Sequence, residues 1–157
     1  MPLLINRQLV DQDPWLRVED EQALPADGAL LLPLARYLDQ KDQLAGRQLG
    51  VLINGDDDIN SVIAEIDKLQ LVAIEIPAFT DGRGFSFARL LRRAGFNGQV
   101  RAIGDVSRDR LEFMERCGFD AYDIPDDRFK PEIIEAFDEI SVDYQGAADD
   151  PRPLFRR

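Results

Sequence analysis

From Ala29 onward, short apolar runs alternate with helical periods, and this alternation limits the possible folds more than any other feature. Leu30-Leu31-Leu32, Gly50-Val51-Leu52-Ile53, Leu71 to Ile76, Val100 to Ile103 and Ala121 to Ile124 read as buried strands. A helix is expected from about Leu34 to Leu44. Another follows from Ile59, Val62, Ile63, Ile66 and Leu69, spaced i, i+3, i+4, i+7 with one further turn. Phe87, Leu90, Leu91 and Ala94 predict the buried stripe of a third helix, with Gly95 at its left-handed stop. Ser107 is placed to cap a fourth, burying Leu111, Met114 and Phe113. Pro131 suits the first turn of a last one, with Ile133, Ile134, Phe137 and Ile140 inside. Strand–helix–strand units of roughly 20–30 residues imply parallel pairing with right-handed crossovers. The expectation is an α/β fold: βα repeats forming a mostly parallel sheet of about five strands, either an open doubly wound sheet or a half-barrel. About five units are too few for the eight-stranded barrel.

Residues 2–20 read as a small N-terminal β-ribbon. Leu3-Leu4-Ile5 and Trp15 to Val18 are its extended runs, and Asp11-Gln12-Asp13-Pro14 turns between them. The expected organisation is ribbon and link over 1–28, an α/β domain over 29–144 and a flexible tail over 145–157, where small, charged and proline residues gather.

Composition removes several classes of chemistry. Hydrophobic residues make up 45% of the 157, enough for one domain with a real core. There is no histidine and one cysteine, Cys117. Ser-His-Asp and Cys-His catalysis, histidine-held zinc or haem, and a four-thiolate cluster from one chain are therefore excluded. A formal net charge of -11 disfavours nucleic acid and anionic membrane as partners. No apolar run approaches the roughly 20 residues of a membrane span, and the N-terminus lacks the form of a signal peptide. A cytoplasmic location is expected.

In open parallel sheets, ligands sit beyond the carboxyl ends of the strands. That singles out the loops Asn54 to Asp58, Pro77 to Phe85, Gly104 to Ser107 and Pro125 to Asp127. The segment Asp81-Gly82-Arg83-Gly84-Phe85-Ser86 could cradle an anion. Its glycines permit close approach, Ser86 and the first helical N–H groups sit at the positive helix end, and Arg83 offers a fork. The alternative is a tight turn with Arg83 paired to Asp81 or Asp105. Asp56, Asp57, Asp58, Asp81, Asp105 and Asp126 could gather a hard cation, but each lies near a helix start, where aspartate caps. No metal and no cofactor is expected. Arg89, Arg92 and Arg93 share a helix with no acidic residue. The helix dipole accounts for Arg92 and Arg93 and leaves Arg89 for a neighbour or a partner. Cys117 reads as a small buried hydrophobe.

The run Phe79-Thr80-Asp81-Gly82-Arg83-Gly84-Phe85-Ser86-Phe87-Ala88-Arg89-Leu90-Leu91-Arg92, followed by Val100 to Asp105 and Cys117-Gly118-Phe119-Asp120, resembles the signature of the bacterial domain of unknown function 934. Asp81, Gly82, Arg83, Ser86, Arg92, Arg101 and Asp105 carry the likeness. Members are often encoded beside the haemoprotein of assimilatory sulfite or nitrite reduction and carry the label of an oxidoreductase of that process. What the resemblance implies is an accessory role in sulfur assimilation. The chain would bind the reductase or an oxyanion through the 82–93 segment, with Asp81, Gly82, Arg83, Gly84, Ser86, Arg89, Arg92, Arg101 and Asp105 as candidate contacts. Two alternatives stand beside it: a small-anion-binding enzyme using Mg²⁺, and a structural adaptor that forms homodimers.

Overall fold

The structure is a computed structural model and describes residues 2–78 and 80–138. Phe79, Ile140 and the 145–157 tail lie outside the described residues.

Eight strands form one sheet: β1 (Leu3–Ile5), β2 (Gln8–Val10), β3 (Trp15–Arg17), β4 (Ala29–Pro33), β5 (Leu49–Ile53), β6 (Leu71–Ile76), β7 (Gln99–Gly104) and β8 (Ala121–Asp123). Their spatial order is β2-β1-β8-β7-β6-β5-β4-β3. Strands β3 to β8 run parallel in chain order. β1 pairs antiparallel with both β2 and β8. The sheet is thus larger and more mixed than five mostly parallel strands. The apolar runs located β4 to β8; the additional strands are three-residue pieces whose pairing is long-range.

The expected ribbon is corrected in its partner. β1 turns back onto β2, not onto Trp15–Val18, through Asn6 and Arg7, both at positive φ (51° and 65°). Two such residues give a tight hairpin whose twist matches its strands. Arg7 is held there by hydrogen bonds of 2.9 and 2.5 Å to the Glu115 carboxylate. The chain then runs from one sheet edge to the other through Asp11 to Pro14. Val10 to Trp15 is five residue steps, about 18 Å at full extension. A flat sheet of this order has seven interstrand spacings of ~4.8 Å, about 34 Å. The sheet therefore has to curl, and it forms an open half-barrel.

The helices are α1 (Leu34–Gln40), α2 (Ile59–Ile63), α3 (Arg83–Arg93) and α4 (Leu111–Cys117). Several are shorter than their periodicity suggested. α1 and α2 are each followed by a 3-10 turn, at Lys41–Gln43 and Ile66–Lys68, and the segment from Pro131 to Asp138 is 3-10 throughout. Ser107 makes no cap; its hydroxyl donates to Asp109 instead, at 2.5 Å. Strand order that follows chain order puts every right-handed crossover on one side. Accordingly, the main core joins alternate strand residues such as Leu30, Val51, Ile74 and Ala102 to helical Tyr37, Val62, Leu91 and Met114. The other alternate set, Leu31, Leu71, Ala73 and Ile103, packs without helical partners on the opposite face, beside Trp15 and Leu52. The doubly wound alternative is thereby replaced by the half-barrel.

Candidate functional site

The rim at the carboxyl ends of the strands is where the loops converge. Ile76 lies opposite Gly104 in register, and the Asp105 N–H donates to the Ile76 carbonyl at 2.7 Å. The chain therefore leaves β6 and β7 side by side, toward Asp81–Ser86 on one strand and Asp105 on the other. Gly104 permits this closeness. Its φ is +97°, and a Cβ there would stand 2.5 Å from the Ile76 oxygen.

The Asp81–Ser86 segment is internally committed. Asp81 accepts from the Arg83 N–H at 3.1 Å and from the Arg83 guanidinium at 3.1 and 2.9 Å. A second fork of that guanidinium reaches Asp56 at 2.7 Å. Arg83 holds the Asp81 carboxyl below the usual carboxylate range, mainly through these hydrogen bonds. The Arg83 N–H and guanidinium at this helix start are thus engaged by the chain's own carboxylates. Gly84 has a packing role: a Cβ would meet Ile74 at 3.0 Å and Ile76 at 3.2 Å, so its absence seats α3 on β6. Ser86 is exposed.

Arg92 and Arg101 are also tied inward. Arg92 donates to the carbonyls of Gly118, Phe96 and Gly98 at 2.9, 2.9 and 2.8 Å, joining the end of α3 to the starts of β7 and β8. Arg101 is 1% exposed on the helix-free face. It donates to both Asp13 oxygens at 2.6 and 3.2 Å and to Gln99 at 2.9 Å, fastening the segment that crosses between sheet edges. Burial raises the Asp123 carboxyl nearby, against the opposing pull of Arg101. Asp105 pairs with Arg110 at 3.4 Å and with Arg128. Two further rim aspartates serve their own loop: Asp57 accepts from the Asn54 N–H, and Asp58 caps α2. Among the described residues, no group of three or more acidic or cysteine side chains is placed to hold a metal. No helix of the described residues is long and apolar enough to cross a membrane.

What stays open is the groove between α3 and α4, about 560 Å³, lined by Gly82, Phe85, Ser86, Arg89, Leu90, Arg93, Phe113 and Cys117. Phe113 is 58% exposed and Leu90 36%. Phe85 joins the groove to the core, with its ring 5.4 Å from Phe113 and 6.3 Å from Phe119. The Arg89 and Arg93 side chains are exposed and make no hydrogen bond or ion pair among the described residues. Burial pushes the Cys117 thiol up, so it behaves as an apolar lining group. The sequence reading placed Leu90 and Phe113 inside. Leu91 is buried as expected, but the rest of the buried stripe of α3 is Gly84 and Ala88, whose small size lets the helix lie close to the sheet. Leu90 and Leu91 are about 100° apart on a helix, so they cannot both centre on one face. That angle was the available signal for an outward Leu90.

No curated protein and no solved structure matches the chain. The family model described as bacterial protein of unknown function (DUF934) matches residues 50–155, more than half of the chain and all of the α3–α4 groove. The chain is therefore a member of that family.

Proposed function

We propose that this chain is an accessory docking protein whose α3–α4 groove receives a partner protein. The observation that carries this is the pairing of an apolar groove, holding Phe113 and Leu90, with two arginines along its edge, Arg89 and Arg93, whose side chains have no hydrogen-bond or ion-pair partner among the described residues. Exposed aromatic and arginine side chains are the types that dominate protein interfaces. On a chain of net charge -11 this is a local basic strip. The partner it suits presents an apolar ridge flanked by carboxylates. The family resemblance names the candidate: the haemoprotein of assimilatory sulfite or nitrite reduction. Arg83, Arg92 and Arg101 are each engaged by internal acceptors, which favours a protein partner over a small oxyanion at 82–93.

Capture of the reductase by tagged chain tests the proposal. Arg89→Glu/Arg93→Glu is expected to weaken capture at least tenfold, about 1.4 kcal/mol, and to remove most of its salt dependence. Phe113→Ala is expected to cost about 2 kcal/mol of binding as a central anchor. Equal capture by wild type and both variants would refute the groove as the docking surface.

A further inference from the structure

The face of α3 that looks onto the groove repeats at helical spacing. Gly82, Phe85, Ser86, Arg89, Leu90 and Arg93 stand at i, i+3, i+4, i+7, i+8 and i+11, so one largely exposed stripe runs the whole length of the helix. The 11 residues of α3 make that stripe about 16 Å long, three turns. Phe113 and Cys117, one turn apart on α4, form the opposite wall. Past Phe113 the hollow continues toward Asp109 and Arg110, with Phe85 and Phe113 lining it again. The groove is thus an elongated apolar trough between two helices.

We infer that this trough receives an amphipathic helix of the partner, with an apolar stripe on its buried face and two carboxylates one turn apart on its flank. The inference rests on the docking reading of the groove and goes further by naming the element that docks. Backbone hydrogen bonding selects a helix over an extended segment. α3 lies over β6, and β6 is at least three strands from either free edge of the sheet, β2 and β3. An extended segment in the trough finds no strand to pair with, and sets its backbone N–H and C=O groups against Leu90 and Phe113. A helix bonds its own backbone and offers side-chain ridges at the spacing of the stripe. Charge selects the flank. Arg89 and Arg93 are one turn apart, about 6 Å along the axis, and no carboxylate is among the described residues lining the groove around them. Neither side chain has a hydrogen-bond or ion-pair partner among the described residues, so an incoming carboxylate breaks no internal contact. Carboxylates at i and i+4 of the docked helix repeat with the same rise and meet both guanidiniums.

Fluorescence anisotropy of labelled peptides of about 15 residues, roughly four helical turns, against the full chain is the test. One peptide carries leucines at i, i+3, i+4 and i+7 with glutamates along the flank. A second has the same composition rearranged into strict alternation, and a third has lysine for every glutamate. The first is expected to bind saturably and to gain helical circular dichroism on binding, with the other two at least tenfold weaker. Arg89→Glu/Arg93→Glu and Leu90→Ala should each weaken the first peptide about tenfold, and both change exposed side chains. No saturable binding of the first peptide, equal binding of the alternating or the lysine peptide, or undiminished binding in both variants would each overturn the inference. Reductase capture separates it from the reading beneath it. Capture that is lost in Arg89→Glu/Arg93→Glu while the alternating peptide binds as well as the helical one keeps the docking groove and sinks the helix. Tight binding of the helical peptide without any reductase capture keeps the helix and sinks the named partner.

Discussion

Asp13→Ala is the sharpest perturbation of the fold, because one side chain on a crossing loop neutralises an arginine inside the sheet. Arg101 is 1% exposed, and Asp13 supplies two of its three hydrogen-bond contacts. Removing one member of a buried pair costs about 3–5 kcal/mol, since the charge left behind is neither paired nor hydrated. The low end applies here. The Asp13 side chain is itself 36% exposed, and Asp123, 3.9 Å from the guanidinium, takes up part of the charge. The expected loss is about 3 kcal/mol, or a fall of about 6–12 °C in Tm for a chain of this size. Urea unfolding followed by circular dichroism measures it, and the slope should stay constant if only stability changes. Arg101→Met added to Asp13→Ala should recover part of the loss, because losing both partners is cheaper than orphaning one. If Asp13→Ala lies within 0.5 kcal/mol of wild type, a typical surface value, the crossing segment does not clamp the sheet and the reasoning fails.

Two further outcomes follow from buried geometry elsewhere. Glu65 is 7% exposed and accepts from Lys41 at 2.7 Å and from the Tyr37 hydroxyl at 3.1 Å. Lys41 chiefly draws its carboxyl below the ordinary 4.5, burial opposes, and Tyr37 and Lys68 assist. A lowered folded value means the stabilisation is complete above the unfolded pKa and fades as pH falls through the folded one. Glu65→Gln should therefore cost about 2 kcal/mol at pH 7, with the gap to wild type closing in acid below 4.5; a gap that widens in acid would refute the sign. Gly104→Ala forces a side chain into positive φ and onto the Ile76 oxygen. A loss of about 3 kcal/mol is expected in the same urea assay, and a neutral result would mean that the β6–β7 rim is looser than described.

The middle of the chain was legible because buried parallel strands are written as continuous apolar runs. Leu71 to Ile76 and Val100 to Ile103 fell where strands were expected, and the side-by-side exit of Asp81–Ser86 and Asp105 followed from strand order alone. The N-terminal pairing was illegible for a physical reason. Three-residue strands such as Trp15–Arg17 take their partners from curvature and long-range register, and no local pattern encodes that. The hairpin at Asn6-Arg7 escaped because Arg at positive φ is held by Glu115, more than a hundred residues away. At the site, the sequence identified the arginine-rich helix but not which arginines are spoken for. Arg92 and Arg101 find carbonyls and a carboxylate brought to them only by the folded sheet. Phe113 was placed inside by its hydrophobicity, and its exposure depends on how α4 sits against α3.

The pairing of Leu4 with Tyr122 has a consequence for how the chain is made. On the ribosome the first strand can fold back on β2 at once, but its other edge has to wait, unpaired, until β8 has cleared the exit tunnel. Closure of the sheet is then a late, non-local step, slow by its topology and exposed to aggregation meanwhile. Moving residues 1–10 behind β8 by circular permutation would make that last pairing local and should quicken folding.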